Sequence, residues 1–193
     1  VIKTEEGKKW RNWAETRESK PEKILYPASI EEVVSIVKEA SKLKKKIRVV
    51  GASHSFTGLV ATDVWLVSLD LLSGIENIDE EAGTVTVLGG TRLFQIGKAL
   101  GEAGYAQKNL GDINVQSIAG AISTGTHGTG LGFGNIPSQV KALTIVTASG
   151  EVLTFSEKEN PTYFKASLIS LGTFGIIVKV KLKIIKTPIY EDR

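Results

Sequence analysis

Two stretches of small residues carry most of the chemistry available to this chain. The first follows a short apolar run and reads Arg48-Val49-Val50-Gly51-Ala52-Ser53-His54-Ser55-Phe56. The second begins at Gln116 and runs Ser117-Ile118-Ala119-Gly120-Ala121-Ile122-Ser123-Thr124-Gly125-Thr126-His127-Gly128-Thr129-Gly130. Glycine admits positive φ and lets another group approach the backbone closely, so loops of this kind can turn bare N–H groups toward an anion. Serine and threonine hydroxyls add donors. A pair of such loops can grip one long dinucleotide through its pyrophosphate, from two sides. The chain has 2 histidines, His54 in the first stretch and His127 in the second. Taken alone, a histidine beside a strand end is more often a structural hydrogen-bonder than a catalyst, and a glycine-rich loop can also be purely structural.

The elements around these loops can be read from patterning. Ser29-Ile30-Glu31-Glu32 is a capping-box signature, and Ile30, Val33, Val34, Val37 and Ala40 follow at helical spacing to about Lys44. Ile47 to Val50 reads as a buried strand that ends at Gly51, and Val64 to Leu69 as another. Glu80-Glu81-Ala82-Gly83 reads as a hairpin turn into Thr84-Val85-Thr86-Val87. Thr91 is expected to cap a helix with Leu93, Ile96, Gly97 and Leu100 on one face. The Gly-rich block from Gly111 to Gly134 reads as a long loop with a short helix near Ile118 to Thr124. Val140 to Phe155 is expected to be a hairpin around Ser149-Gly150. Asn160-Pro161 should start a helix that carries residues to Leu171, with Gly172 at its C-cap. Ile176 to Ile185 alternates apolar residues with lysine, as a strand buried on one face does. Helices and strands are mixed without regular βαβ alternation, which reads as an α+β fold. A first lobe over residues 21–77 and a second over 78–187 are expected, with the ligand between them.

Composition narrows the function classes. The sequence has 193 residues, 41% hydrophobic and 23% charged, enough for a sizeable core and unlike a disordered chain. Its apolar runs are too short for a membrane span, and the N-terminus lacks the basic-then-apolar order of a secretory signal, so a cytoplasmic location is expected. The absence of cysteine excludes disulfides, thiolate catalysis and Cys-ligated metal, and no metal site is expected. Methionine is also absent, even at position 1, as in a processed or trimmed piece of a longer chain. The net charge of +3 concentrates at Lys42, Lys44, Lys45 and Lys46 and along Lys179, Lys181, Lys183 and Lys186. These read as a solvated helix end and strand face, and no nucleic-acid-binding signature accompanies them. No G-x-x-x-x-G-K-[ST] loop is present. The run Gly128 to Gly134 is not G-x-G-x-x-G in a strand–turn–helix setting, which argues against a nicotinamide dinucleotide.

The two loops resemble those of flavin oxidoreductases of the vanillyl-alcohol-oxidase type, most closely the sugar-1,4-lactone (aldonolactone) oxidases and alditol oxidases. The matching motifs are Gly51-Ala52-Ser53-His54-Ser55, then Asn109-Leu110-Gly111-Asp112 through Ser117-Ile118-Ala119-Gly120 to Thr126-His127-Gly128-Thr129-Gly130, and Ser170-Leu171-Gly172-Thr173-Phe174-Gly175-Ile176-Ile177. They stand in the family's order, and the resemblance runs from about Pro27 to Lys186. It implies a two-lobed FAD-binding domain, and hydride transfer to the flavin from a carbinol carbon of a sugar lactone or alditol, with O2 or another acceptor reoxidising the flavin.

The resemblance also assigns residues. His54 matches the histidine joined through a ring nitrogen to the 8α-methyl of FAD. Val50, Gly51, Ala52, Ser53, Ser55, Phe56, Gly120, Ala121, Ser123, Thr124, Gly125 and His127 match the cofactor-binding loops. Gly172, Gly175, Ile176 and Ile177 match contacts toward the adenine end. Ser117 matches a position that faces the flavin and can touch substrate; by its own pattern it is equally a helix cap. Family members continue into a substrate-binding cap domain whose acidic and basic residues match no position here, so a cap domain or subunit is an expected partner. A different enzyme on the same fold, such as an enolpyruvyl-sugar reductase or the flavin subunit of a molybdenum hydroxylase, is the alternative, and His54 argues against it. A non-catalytic nucleotide-binding module is the third reading.

Overall fold

A computed structural model describes residues 1–188. In chain order the first half contains β1 (Lys3–Glu6), β2 (Trp10–Arg11), β3 (Glu18–Ser19), β4 (Lys23–Tyr26), α1 (Ile30–Lys42), β5 (Ile47–Val50), β6 (Trp65–Ser68), β7 (Ile75–Asp79) and β8 (Thr84–Leu88). The second half contains α2 (Leu93–Glu102), β9 (Tyr105–Ala106), α3 (Ile118–Ser123), a 3-10 turn (Ile136–Gln139), β10 (Val140–Val146), β11 (Val152–Ser156), α4 (Pro161–Ser167), β12 (Ile176–Lys183) and β13 (Ile185–Lys186). Among the described residues no helix is long and apolar enough to cross a membrane.

Helices and strands are mixed as expected, with one local exception. The first sheet has the order β1-β4-β6-β5, and β4, β6 and β5 are parallel. The segment β4–α1–β5 is therefore a crossover unit, which the sequence reading did not anticipate. The central strand β6 is buried at all four positions, as parallel strands covered on both faces are. The second sheet, β11-β10-β12-β8-β7, is antiparallel throughout. One apolar core spans both, from Leu25 and the α1 residues Val33, Ile36, Val37 and Ala40 to Val85, Leu143 and Val180.

Several local expectations need correction. Ser29 Oγ accepts from the Glu32 N–H at 3.2 Å, but the Glu32 carboxylate reaches the Ala28 N–H rather than that of Ser29. α1 stops at Lys42 because Lys44 turns to φ 53° and the Lys45 N–H returns to the Ala40 carbonyl. Thr91 does not cap α2. Its hydroxyl bridges Leu88 and Gly74, and the cap is Arg92, whose N–H donates to the Gln95 side chain at 2.8 Å. α4 ends at Ser167, well short of Leu171, and Gly172 sits in the turn beyond it. The strand expected over 64–69 is confined to Trp65–Ser68. The hairpins β7–β8 and β10–β11 and the short helix α3 form where expected.

Candidate cofactor site

The first loop leaves the carboxyl end of β5, the edge of a parallel strand where ligands of open α/β sheets collect. From Gly51 to Ser55 no backbone N–H donates to another described residue. The loop holds this shape through its carbonyls and side chains. Trp13 N–H donates to the Ser53 carbonyl at 2.8 Å, Asn12 Nδ2 to the Ser55 carbonyl at 3.0 Å, and Trp10 Nε1 to Ser53 Oγ at 3.0 Å. Ser53 itself adopts φ 61°, a conformation uncommon for a residue with a side chain and sustained only where surroundings enforce it.

The second stretch is built differently. Ser117 caps α3, its Oγ accepting from the Gly120 N–H, and is almost fully buried. The N–H groups of Ile118 and Ala119 donate to the carbonyls of Thr91 and Gly89 at 2.9 and 3.1 Å. Beyond them, Ala121, Thr124, Gly125 and Thr126 donate back into the helix and its final turn. The hydroxyls expected as free donors are also engaged: Ser123 Oγ donates to the Ala119 carbonyl at 2.8 Å and Thr124 Oγ1 to that of Gly120 at 3.0 Å. From Ile118 to Thr126, the helix and the carbonyls flanking it take up the donors that the composition advertised.

The two stretches meet. A Cβ on Gly51 would overlap Ser117 Oγ, so only glycine lets the end of β5 lie against the cap of α3. Around that contact lies a cleft open to solvent. It brings together Val50, Gly51, Ala52, Ser53, His54 and Ser55 with Ser117, Gly120, Ser123 and Thr124, and with Gly172, Gly175, Ile176 and Ile177. Phe56, Ala121, Gly125 and His127 are not part of its lining. Phe56 is exposed beyond the loop, and Ala121 is buried in the core on the inner face of α3. Gly125 has φ 69° and faces Ile169. His127 is exposed, its Nδ1 2.9 Å from the Gly128 carbonyl oxygen.

Electrostatics in the cleft are mild. Arg48 is the one lysine, arginine or carboxylate among the lining residues, so the loop's N–H groups are the main donors to an anion. Burial holds the His54 imidazole below its ordinary value of 6.5, and the nearby Arg92 guanidinium adds to the effect. Arg92 is itself paired with Asp70. Both effects favour the neutral imidazole, in which one ring nitrogen carries no proton.

Sequence reasoning missed three features. Trp10 lines the cleft and Trp13 stacks on His54, with ring centroids 5.1 Å apart and planes at 23°; neither lies in a sequence motif. Gly89-Gly90, which anchors α3, was not singled out. A Cβ on either residue would overlap a neighbouring carbonyl oxygen, of Ile177 and Leu69 respectively. A Gly-Gly pair directly after a strand was the available signal. Gln116 also lines the cleft, its Nε2 bonded to Thr126 Oγ1 at 3.1 Å.

A strand-end loop with backbone N–H groups unpartnered among the described residues, a close-packed capped helix and a histidine of that loop line one cleft. The chain belongs to the FAD binding domain family, whose sequence model matches residues 21–156. It is 46% identical over 180 residues to the D-arabinono-1,4-lactone oxidase of Candida glabrata, covering 91% of this chain and 34% of that protein. The enzyme of the same name from Saccharomyces cerevisiae is 42% identical over 180 residues, again 91% of this chain and 34% of that protein. The L-gulono-1,4-lactone dehydrogenase of Mycobacterium tuberculosis is 37% identical over 174 residues, 90% of this chain and 40% of that protein. The chain thus spans between 34% and 40% of the length of these relatives.

Proposed function

We propose that this chain holds FAD in the cleft, between a lobe over 21–77 and a lobe over 78–187, as the cofactor domain of an oxidoreductase acting on a sugar lactone. The observation that carries the reading is the run of backbone N–H groups from Gly51 to Ser55. They have no acceptor among the described residues, and their residues line a cleft in a member of the FAD binding domain family. Hydrogen bonds to a charged group contribute roughly 1.5–3 kcal/mol each, so several of these donors hold a pyrophosphate firmly. Gly51 is a second fit: the space a Cβ would fill is where the two walls of the cleft touch. Ile176 and Ile177, with Gly172 and Gly175, supply the apolar end that receives the adenine.

Bound there, FAD supplies the two-electron acceptor for the carbinol hydrogen of the lactone and passes the electrons to O2 or another acceptor. The residues of this chain bind and orient. Ser117 caps α3 and abuts Gly51, which supports a positioning role over direct contact with substrate. His54 is the covalent anchor, neutral and half-buried in the pyrophosphate loop. A bond from a ring nitrogen of His54 would replace one hydrogen of the 8α-methyl, and the two electrons and two protons released would reduce O2 to H2O2.

The relatives' names support a five-membered sugar lactone over an alditol, and they divide between oxidase and dehydrogenase. Substrate choice and turnover belong to the whole protein, with the substrate side closed by a cap domain or subunit. The test of the cofactor reading is reconstitution with FAD followed by acid precipitation. Flavin bands that stay with the precipitated chain, and become extractable in His54→Ala, are expected. A folded wild-type chain that remains colourless with excess FAD contradicts the reading. Assay of the whole protein on D-arabinono-1,4-lactone and L-gulono-1,4-lactone, against an alditol and with O2 against a dye acceptor, settles the substrate class.

A further inference from the structure

The short hairpin β2–β3 lies outside residues 21–156, the part matched by the family model, yet it makes the contacts that shape the His54 loop. Its own turn is fixed by Asn12, which is 3% exposed. Asn12 Nδ2 donates to Thr16 Oγ1 at 3.0 Å and its Oδ1 accepts from the Arg17 N–H at 2.9 Å. From this frame three donors reach across to the loop: Trp10 Nε1, Asn12 Nδ2 and the Trp13 N–H. They engage only carbonyls and a hydroxyl oxygen of Ser53 and Ser55, so every N–H from Gly51 to Ser55 stays without an acceptor among the described residues. The indole of Trp13 then covers the His54 ring face to face. Trp13 is itself 66% exposed. Core packing therefore does not account for its place, and its defined partner is the imidazole.

We propose that the hairpin is a clamp on the cofactor loop and that Trp13 is the positioning residue for His54, fixing the plane of the imidazole for attachment to the flavin. The inference rests on the reading of His54 as the anchor. Its physical content is that His54 follows a residue at φ 61° and has no hydrogen bond to hold its ring among the described residues. A stacked partner removes the rotation that a half-buried side chain would otherwise keep. The three donors to Ser53 and Ser55 offset the backbone strain at Ser53.

The test compares the wild-type chain with Trp13→Phe and Trp13→Ala. Each folded chain is incubated with FAD, and the flavin remaining after acid denaturation is followed in time by absorbance and intact mass. Trp13→Ala is expected to slow attachment by roughly tenfold, which corresponds to about 1.4 kcal/mol at the barrier. Trp13→Phe, which restores a flat partner, is expected to recover most of the wild-type rate. The His54 ring-proton resonances of the FAD-free chains supply a readout independent of turnover. They lie upfield in the wild type under the indole and move downfield in Trp13→Ala. Equal attachment rates for wild type and Trp13→Ala overturn the inference and leave the anchor intact. A wild type that binds FAD and never attaches it overturns the anchor reading. The clamp is then decided by the resonances: a downfield move supports it, and unchanged resonances overturn it.

Discussion

The two small-residue loops look alike as sequence and behave as opposites in the fold. Gly51 to Ser55 keeps its N–H groups free and spends its carbonyls on the N-terminal hairpin. Ile118 to Gly125 spends its N–H groups, and two of its hydroxyls, on its own helix and cap and on the turn at Gly89 to Thr91. In the proposed site the first loop is the set of donors, and the second is the wall that lets those donors sit close to the cofactor. Small residues serve both purposes for different reasons. In the first they leave backbone exposed, and in the second they permit close packing against Gly51.

This contrast is most exposed to Gly51→Val. The new side chain meets Ser117 Oγ, and overpacking of this kind costs roughly 1–3 kcal/mol, here at the junction that sets the cleft. Flavin retention measured by equilibrium dialysis is expected to fall by about 100-fold, while circular dichroism still reports a folded chain. Gly125→Ala belongs to the other region. Gly125 has φ 69° and lies off the cleft lining, so the substitution is expected to lower stability by about 1 kcal/mol or somewhat more. Flavin content per folded molecule should be unchanged. Thermal melts with flavin quantitation check both halves, and a loss of flavin without a loss of stability would merge the two regions.

A smaller effect comes from pH. Burial, with Arg92, keeps the folded His54 value below 6.5, so the unfolded chain takes up this proton at a higher pH than the folded one. No stability is lost from this group above 6.5; the loss develops as pH falls from there through the folded value. Attachment should follow the neutral imidazole, rising with pH to a plateau with its midpoint below 6.5. A midpoint above 6.5 in a pH series of attachment rates contradicts the assignment. The smallest effects are expected for Ser123→Ala and Thr124→Val. Their hydroxyls return to helix carbonyls, bonds that contribute little to a helix, and flavin affinity is expected to stay within about twofold of wild type.

Much of this organisation was legible in the residues. β5 ending at Gly51, the short helix α3 and the hairpin at Gly150 followed from periodicity and turn chemistry, and most of the cleft lining from the family resemblance. What was not legible was the state of the hydrogen bonds. Ser and Thr in a loop and Ser and Thr returning to a helix carbonyl read identically in sequence, so the donor capacity of Ser123 and Thr124 was overestimated. Trp10 and Trp13 carry no local pattern. Their role arises from a partner 43 residues away for Trp10 and from the ring of His54 for Trp13, and such tertiary pairing has no signature in one chain. Thr91 looked like a helix cap because its type is right; the adjacent Arg92 takes the place because Thr91 is already bound to Gly74 and Leu88.

The central claim, that the first loop donates to the cofactor and the second does not, is tested most directly by residue-resolved amide hydrogen exchange with and without FAD. The account predicts fast exchange from Gly51 to Ser55 in the free chain and strong protection on adding FAD. Ala121, Thr124, Gly125 and Thr126 should be protected in both states. Protection gained at 121–126 while 51–55 stays fast would contradict it.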